Sequence, residues 1–262
     1  MQGNNELGAS IKEELTSFSG TAGIVVASIN GDTIFRENPG KIFPAASLIK
    51  LLILWAFFSK VEDGSLSIDQ KIQIGKEQKV EGSGIIKELH EGLELTLKDL
   101  ATLMIILSDN VATNILIDLL SVRQINTVGK ELGLNNTLLG RKMMDFEAQR
   151  RGVDNYSSPE DIAKLLNMYV TSEKLSKLSR DTMLEILLRQ QCNNKLSKLL
   201  PEGIRLAHKT GELPGIEHDA GIFFFDDTKV IAVVMTGELK QNTDGISLCA
   251  TVGDMIYKHY AD

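Results

Sequence analysis

The chain has 262 residues, 43% hydrophobic and 24% charged, enough for a sizeable core in one large domain or two intertwined halves. Its net charge of −7 gives no general attraction to nucleic acid or to an anionic membrane. Two cysteines, Cys192 and Cys249, and four histidines without ligand spacing make neither a disulfide framework nor a zinc site.

The first residues, Met1 to Glu6, are polar and lack the basic and apolar regions of a signal peptide. A cytoplasmic protein is expected, or a periplasmic or secreted one if an export signal has been removed. Leu7, Ile11, Leu15 and Phe18 recur at helical spacing. A β-rich run, Ala22 to Ser28, follows, then a turn at Asn30-Gly31-Asp32 and a second strand, Thr33 to Arg36.

The stretch from Phe43 to Phe58 is apolar except for one charge, Lys50. It is shorter than the roughly 20 residues that cross a bilayer. It reads as a helix buried on most sides, starting near Ser47 behind Pro44. A lysine there is costly unless it is partnered or loses its proton. Ser47 lies one turn earlier on the same face, so a hydroxyl sits beside a desolvated amine, as in an activated nucleophile. The competing reading is that Ser47 only caps the helix and Lys50 reaches the surface.

From Ala45 to Leu200 the pattern is mostly helical, with little strand signal. Helices are expected over Leu97 to Leu107 and Ala112 to Leu120, broken at Ser108-Asp109-Asn110, and over Ser121 to Leu132. Asp109 suits an N-cap. Asn135 to Tyr156 lacks periodicity and reads as a long loop, a length that is usually functional or mobile. Ser158-Pro159-Glu160-Asp161 opens another helix with a cap and an N1 proline, and Arg180 to Gln190 gives one more. Strands return at Ile204 to Glu212, Asp219 to Phe225 and Lys229 to Thr236, and Thr243 to Tyr260 closes as a helix. His218 and Asp219 read as surface residues at a strand start near the cleft, where His218 could help hold a carboxylate.

The fold class is therefore α/β of the α+β type. Residues 1–45 and 203–262 would form an antiparallel sheet flanked by helices, with an all-helical subdomain, 46–202, inserted between them. A cleft where the two meet would collect Ser47, Ser108 and the strand after Ile204.

Three short motifs fall on those places: Ser47-Leu48-Ile49-Lys50, Ser108-Asp109-Asn110 and Lys209-Thr210-Gly211. Each is weak alone. In this order, on a helix, a helix break and a strand, they are specific. The sequence resembles the class A β-lactamase and penicillin-recognising serine hydrolase superfamily over its whole length. Acyl transfer needs a nucleophile, a base, a proton donor and an oxyanion site. Ser47 would attack and neutral Lys50 would take its proton. Ser108 would pass a proton to the departing nitrogen. Asn110 would orient the substrate amide and Lys50. Lys209 and Thr210 would bind a substrate carboxylate, and Gly211 would let the substrate lie close to the strand. The resemblance implies the backbone N–H groups of Ser47 and Glu212 as oxyanion donors.

Class A β-lactamases hydrolyse the acyl-enzyme with a loop glutamate in an E-x-x-L-N pattern, which is absent here. Aligning on Arg141 puts Met143 where that glutamate should stand; Asp145 and Glu147 come close by later residues, and Glu147 is the candidate deacylation base. The arginine usual behind the K-T-G strand is also missing. A β-lactamase that opens the ring through an acyl-enzyme on Ser47 is the leading reading. A D,D-peptidase with slow deacylation and a non-hydrolytic β-lactam sensor are the alternatives. The resemblance implies a small-molecule β-lactam or D-Ala-D-Ala peptide as partner, no cofactor or metal, no membrane span, and a monomer.

Overall fold

The computed structural model describes residues 2–29 and 31–261. Met1, and Asn30 of the expected first turn, lie outside the described residues. Helix α1 (Gln2–Ser17) leads into strands β1 (Thr21–Ser28) and β2 (Thr33–Glu37). At the other end of the chain stand β7 (Arg205–Leu213), β8 (Ile216–Phe224), β9 (Lys229–Gly237) and helix α9 (Asn242–Ala261). These five strands form one antiparallel sheet in the order β2-β1-β9-β8-β7. Strands β8 and β9 are buried almost end to end, because both sheet faces are covered and alternation gives way to continuous apolar runs. On one face α1 and α9 pack over Ile24, Val26, Phe223 and Val234.

Against the other face lies the larger core, built around α2 (Ile49–Glu62). Every residue from Ile49 to Phe58 is buried. Each fully buried Leu, Ile or Phe contributes about 1.5–3 kcal/mol. That run outweighs the cost of the single lysine inside it. Around α2 stand α3 (Leu97–Ile106), α4 (Asn110–Leu120), α5 (Val122–Glu131), α7 (Pro159–Thr171) and α8 (Lys177–Leu188). The expected caps are in place: Asp109 accepts from Ala112 N at 2.9 Å, and Ser158 accepts from Asp161 N at 3.3 Å.

Two expectations need correction. The middle of the chain is not free of strands: β3 (Phe43–Pro44) pairs with β6 (Tyr156–Ser157), and β4 (Lys71–Ile74) pairs with β5 (Leu93–Thr96). These are too short for a period-of-two pattern to stand out. The irregular segment from Asn135 to Tyr156 also contains a short helix, α6 (Phe146–Arg150), capped by Asp145.

Strand β7 is the sheet edge nearest Ser47, and its underside is held by buried charge. Lys195 Nζ lies 2.5 Å from Glu217 Oε2 and donates to Gly211 O at 2.8 Å, with both side chains 1% exposed. Removing one partner of such a pair leaves the other charge buried without compensation. Lys195→Met is expected to lower unfolding free energy by about 3–5 kcal/mol in chemical denaturation, with Lys195→Met/Glu217→Met recovering part of the loss. A loss below about 1 kcal/mol in the single variant, the range of a surface pair, would contradict this role.

Candidate active site

The chain enters α2 through a strained step. Ala45 N donates to Asn155 O at 2.7 Å, and a single 3₁₀ turn, Ala46–Leu48, follows. Ala46 has φ +45°, the left-handed region that L residues avoid. Ser108 (φ +54°) and Met144 (φ +64°) share that strain, and all three line the groove beside Ser47. Strain of this kind persists only where the surroundings enforce it, and it gathers at functional sites.

Ser47 makes no side-chain cap bond, so the capping reading fails. The surface reading of Lys50 fails too, since its side chain is fully buried. Lys50 Nζ donates to Ser108 O at 2.7 Å, Ser108 Oγ at 2.9 Å and Asn110 Oδ1 at 3.1 Å. Ser108 Oγ in turn donates to Ser47 Oγ at 2.8 Å. The two motifs are thus linked through Ser108, which stands between the Ser47 hydroxyl and the Lys50 amine. A direct Ser47–Lys50 hydrogen bond, the simplest geometry for the expected transfer, is not formed. Burial pushes the Lys50 amine well below the usual lysine range, and the nearby Lys209 cation adds to this.

Strand β7 supplies the third motif. A Cβ on Gly211 would lie 3.2 Å from Ala46 Cβ and 3.3 Å from Ser47 N, so a side chain there would press the 3₁₀ turn back by a few tenths of an ångström. Lys209, two residues back on the same strand face, points to the same side. It is fully buried, donates to Thr210 O at 2.8 Å, and is pushed down to about 8, chiefly by burial. Thr210 and Glu212 line the groove itself.

His218 and Asp219 correct the sequence reading, because both are buried. His218 Nε2 donates to Pro44 O at 2.9 Å, while Thr236 N donates to its Nδ1 at 3.1 Å. That pair of bonds requires the neutral ring, and burial pushes it down to about 4. Neutral His218 therefore ties the sheet to the segment just before Ser47. Asp219 faces the other side of the sheet, 3.0 Å from His208 Nδ1.

The groove has two lobes that meet at Ser47. One, of about 370 Å³, runs past Ser108, Cys192 and Thr210. The other, of about 140 Å³, runs past Gly82, Asn110, Met143, Met144 and Phe146. Together they are sized for a small molecule. The loop wall of the second lobe is set by residues the sequence reading missed. Arg141 Nε donates to Asp154 Oδ1 at 2.8 Å, closing the ends of the irregular segment. Asn114 Oδ1 accepts from Met143 N at 2.8 Å and its amide donates to Met143 O at 3.1 Å. Asn114 lies four residues after Asn110 on α4, so its helical face was a usable signal.

Glu147 is not brought to this groove. Its side chain is 74% exposed and bonds Arg151 one turn along, 2.6 Å away. Asp145 is also exposed and spends its carboxylate on capping α6. Met143, Met144 and Phe146 are the loop side chains that line the groove there. Neither cysteine is paired: Cys192 borders the first lobe and Cys249 is buried in α9.

Against known proteins, the sequence pattern of the beta-lactamase enzyme family matches residues 6–260. The chain is similar to a beta-lactamase of Bacteroides uniformis, with 26% identity over 97% of this chain and 90% of that protein. Its structure is similar to that of a beta-lactamase from Sphaerobacter thermophilus, with TM-score 0.88 and 31% identity over 99% of this chain and 97% of the other. It is also similar to PBP-A, with TM-score 0.87 and 29% identity over 98% and 96% of the two chains. A variant of PBP-A is solved as an acyl-enzyme complex with penicillin G.

Asn114→Ala would strand two buried backbone groups of Met143, at about 1–3 kcal/mol each. Loss of stability in denaturation, with faster amide exchange over residues 139–146, is the expected outcome. Unchanged exchange there would show that the loop wall is held by something else.

Proposed function

Since the chain belongs to the beta-lactamase enzyme family and is a class A-like serine hydrolase, we propose that it opens β-lactam rings by acylation of Ser47, with Ser108 as the proton carrier and Lys50 as the base. The observation that carries this reading is the hydrogen-bonded chain Ser47 Oγ, Ser108 Oγ, Lys50 Nζ, ending on an amine whose proton burial disfavours.

For attack, the Ser47 and Ser108 hydroxyls must turn about their Cβ–Oγ bonds and reverse the direction of the chain, so that Ser47 donates to Ser108 Oγ and Ser108 to the lone pair of a neutral Lys50 amine. As Ser47 Oγ attacks the lactam carbonyl, its proton then passes to Ser108 Oγ and the Ser108 proton passes to Lys50 Nζ. The carbonyl oxygen becomes an oxyanion, stabilised by the backbone N–H groups of Ser47 and Glu212. Collapse breaks the C–N bond. The proton on Lys50 returns through Ser108 to the departing nitrogen, which leaves Lys50 neutral again. Lys209, as a cation behind Thr210, would attract the substrate carboxylate, with the Thr210 hydroxyl as its direct contact. Asn110 would hold both the substrate amide and Lys50. This division assigns the acid–base work to one face of the groove and substrate charge to the other.

Release of the acyl group is the weak step. The loop wall opposite the strand presents Met143 and Met144 where a carboxylate would activate water, and Glu147 faces solvent. The acyl-enzyme should therefore be long-lived. The same feature, with the likeness to PBP-A, favours a D,D-peptidase acting on D-Ala-D-Ala peptides as the second reading.

Intact-mass spectrometry over time with benzylpenicillin tests this. The native chain should gain one penicilloyl adduct that decays slowly, and Ser47→Ala should gain none. Met143→Glu should speed decay by about 10²-fold, the usual contribution of a general base, while Glu147→Gln should change neither step. An adduct on Ser47→Ala would remove the nucleophile, and fast turnover by the native chain would remove the role given to the loop wall.

A further inference from the structure

We propose that the groove selects acyl donors whose side chain joins an apolar body to a protonated amine, and that the Glu212 carboxylate reads the amine. This rests on Ser47 being the acylated residue.

Glu212 stands at the end of β7, one residue after the glycine packed on Ser47, and borders both lobes. Its side chain is exposed, and among the described residues no hydrogen bond or ion pair engages it. The other charged side chains that border the groove are buried or nearly so, and paired. Asp154 is held by Arg141 at 2.8 Å, and Lys195 by Glu217 at 2.5 Å. Glu212 therefore offers the one uncommitted charge at the mouth of the groove. The loop wall of the second lobe, which Glu212 also borders, carries an apolar strip beside the Arg141–Asp154 pair. The strip is made by Met143, Met144 and Phe146, the last 52% exposed with no aromatic partner. A site with thioethers and a phenyl ring on one wall and a free carboxylate at the strand is complementary to an aryl or alkyl group carrying an ammonium. The net charge of −7 acts in the same direction on approach.

Three penicillins that differ at one carbon supply the test: ampicillin (amine), benzylpenicillin (hydrogen) and carbenicillin (carboxylate). Second-order acylation rates are read by intact mass at low ionic strength, at a pH where the ampicillin amine is protonated. The native chain is expected to react with ampicillin about two- to fivefold faster than with benzylpenicillin, and slowest with carbenicillin, as for an exposed charge pair. Added salt should compress the series. In Glu212→Gln the ampicillin-to-benzylpenicillin ratio should fall to about one, and in Glu212→Lys the order should invert. Because each ratio is taken within one variant, a general loss of activity does not obscure it. Equal rates for all three with the native chain, or an unchanged ratio in Glu212→Gln, would overturn the inference while leaving Ser47 acylation intact. No adduct from any of the three on the native chain would instead overturn the acylation reading itself.

Discussion

The burial of a lysine with no carboxylate partner governs this structure. Lys50 sits inside the most apolar helix of the chain, and its hydrogen bonds go to a carbonyl, a hydroxyl and an amide oxygen. An ammonium donates to all three, whereas the neutral amine donates to two of them and can turn its lone pair to the Ser108 hydroxyl. A carboxylate in their place would hold the proton and remove the base. The nearest acid in the motif, Asp109, is kept apart: its two oxygens bind Ala112 N and the backbone of Ile85 and Ile86. The helix break thus presents Ser108 and Asn110 to the amine while it turns the charge of Asp109 to structural use.

The second lysine works under a different balance. Lys209 is equally buried and is pushed down to about 8, chiefly by that burial, with the Lys195 cation adding to it and Asp219 acting the other way. The site thus sets a lysine placed to meet substrate charge beside Lys50, whose proton burial and the Lys209 cation disfavour. The sheet edge that carries Lys209 is fixed from below by the Lys195–Glu217 pair and from the side by neutral His218. Those bonds set the spacing between the strand and the 3₁₀ turn, where Gly211 packs without a side chain.

Much of this was legible in the sequence. The strands at the two ends, the break at Ser108 and the caps at Asp109 and Ser158 follow from local patterns, and the grouping of Ser47, Lys50, Ser108 and Lys209 follows from the order of three motifs along the chain and the family they resemble. What was not legible depends on tertiary placement. Glu147 lies on a helix of five residues, too short to show which face turns inward, although its spacing to Arg151 hinted at a surface pair. His218 sits on a strand covered on both faces, where position along the chain does not reveal burial. Lys195 lies in a polar segment without periodicity, and nothing local marks it as the partner of Glu217. Ser108 was read as a proton donor, but its place between Ser47 and Lys50 follows from the left-handed turn at that residue.

The most direct test is a titration of the lysine amines by carbon-13 NMR with the ε-carbon labelled, using Lys50→Met and Lys209→Met to assign the signals. The account predicts a Lys50 signal that moves from charged to neutral well below the ordinary lysine range, and a Lys209 signal that does so near pH 8. A Lys50 signal that stays at the ammonium position up to the ordinary lysine range would contradict it.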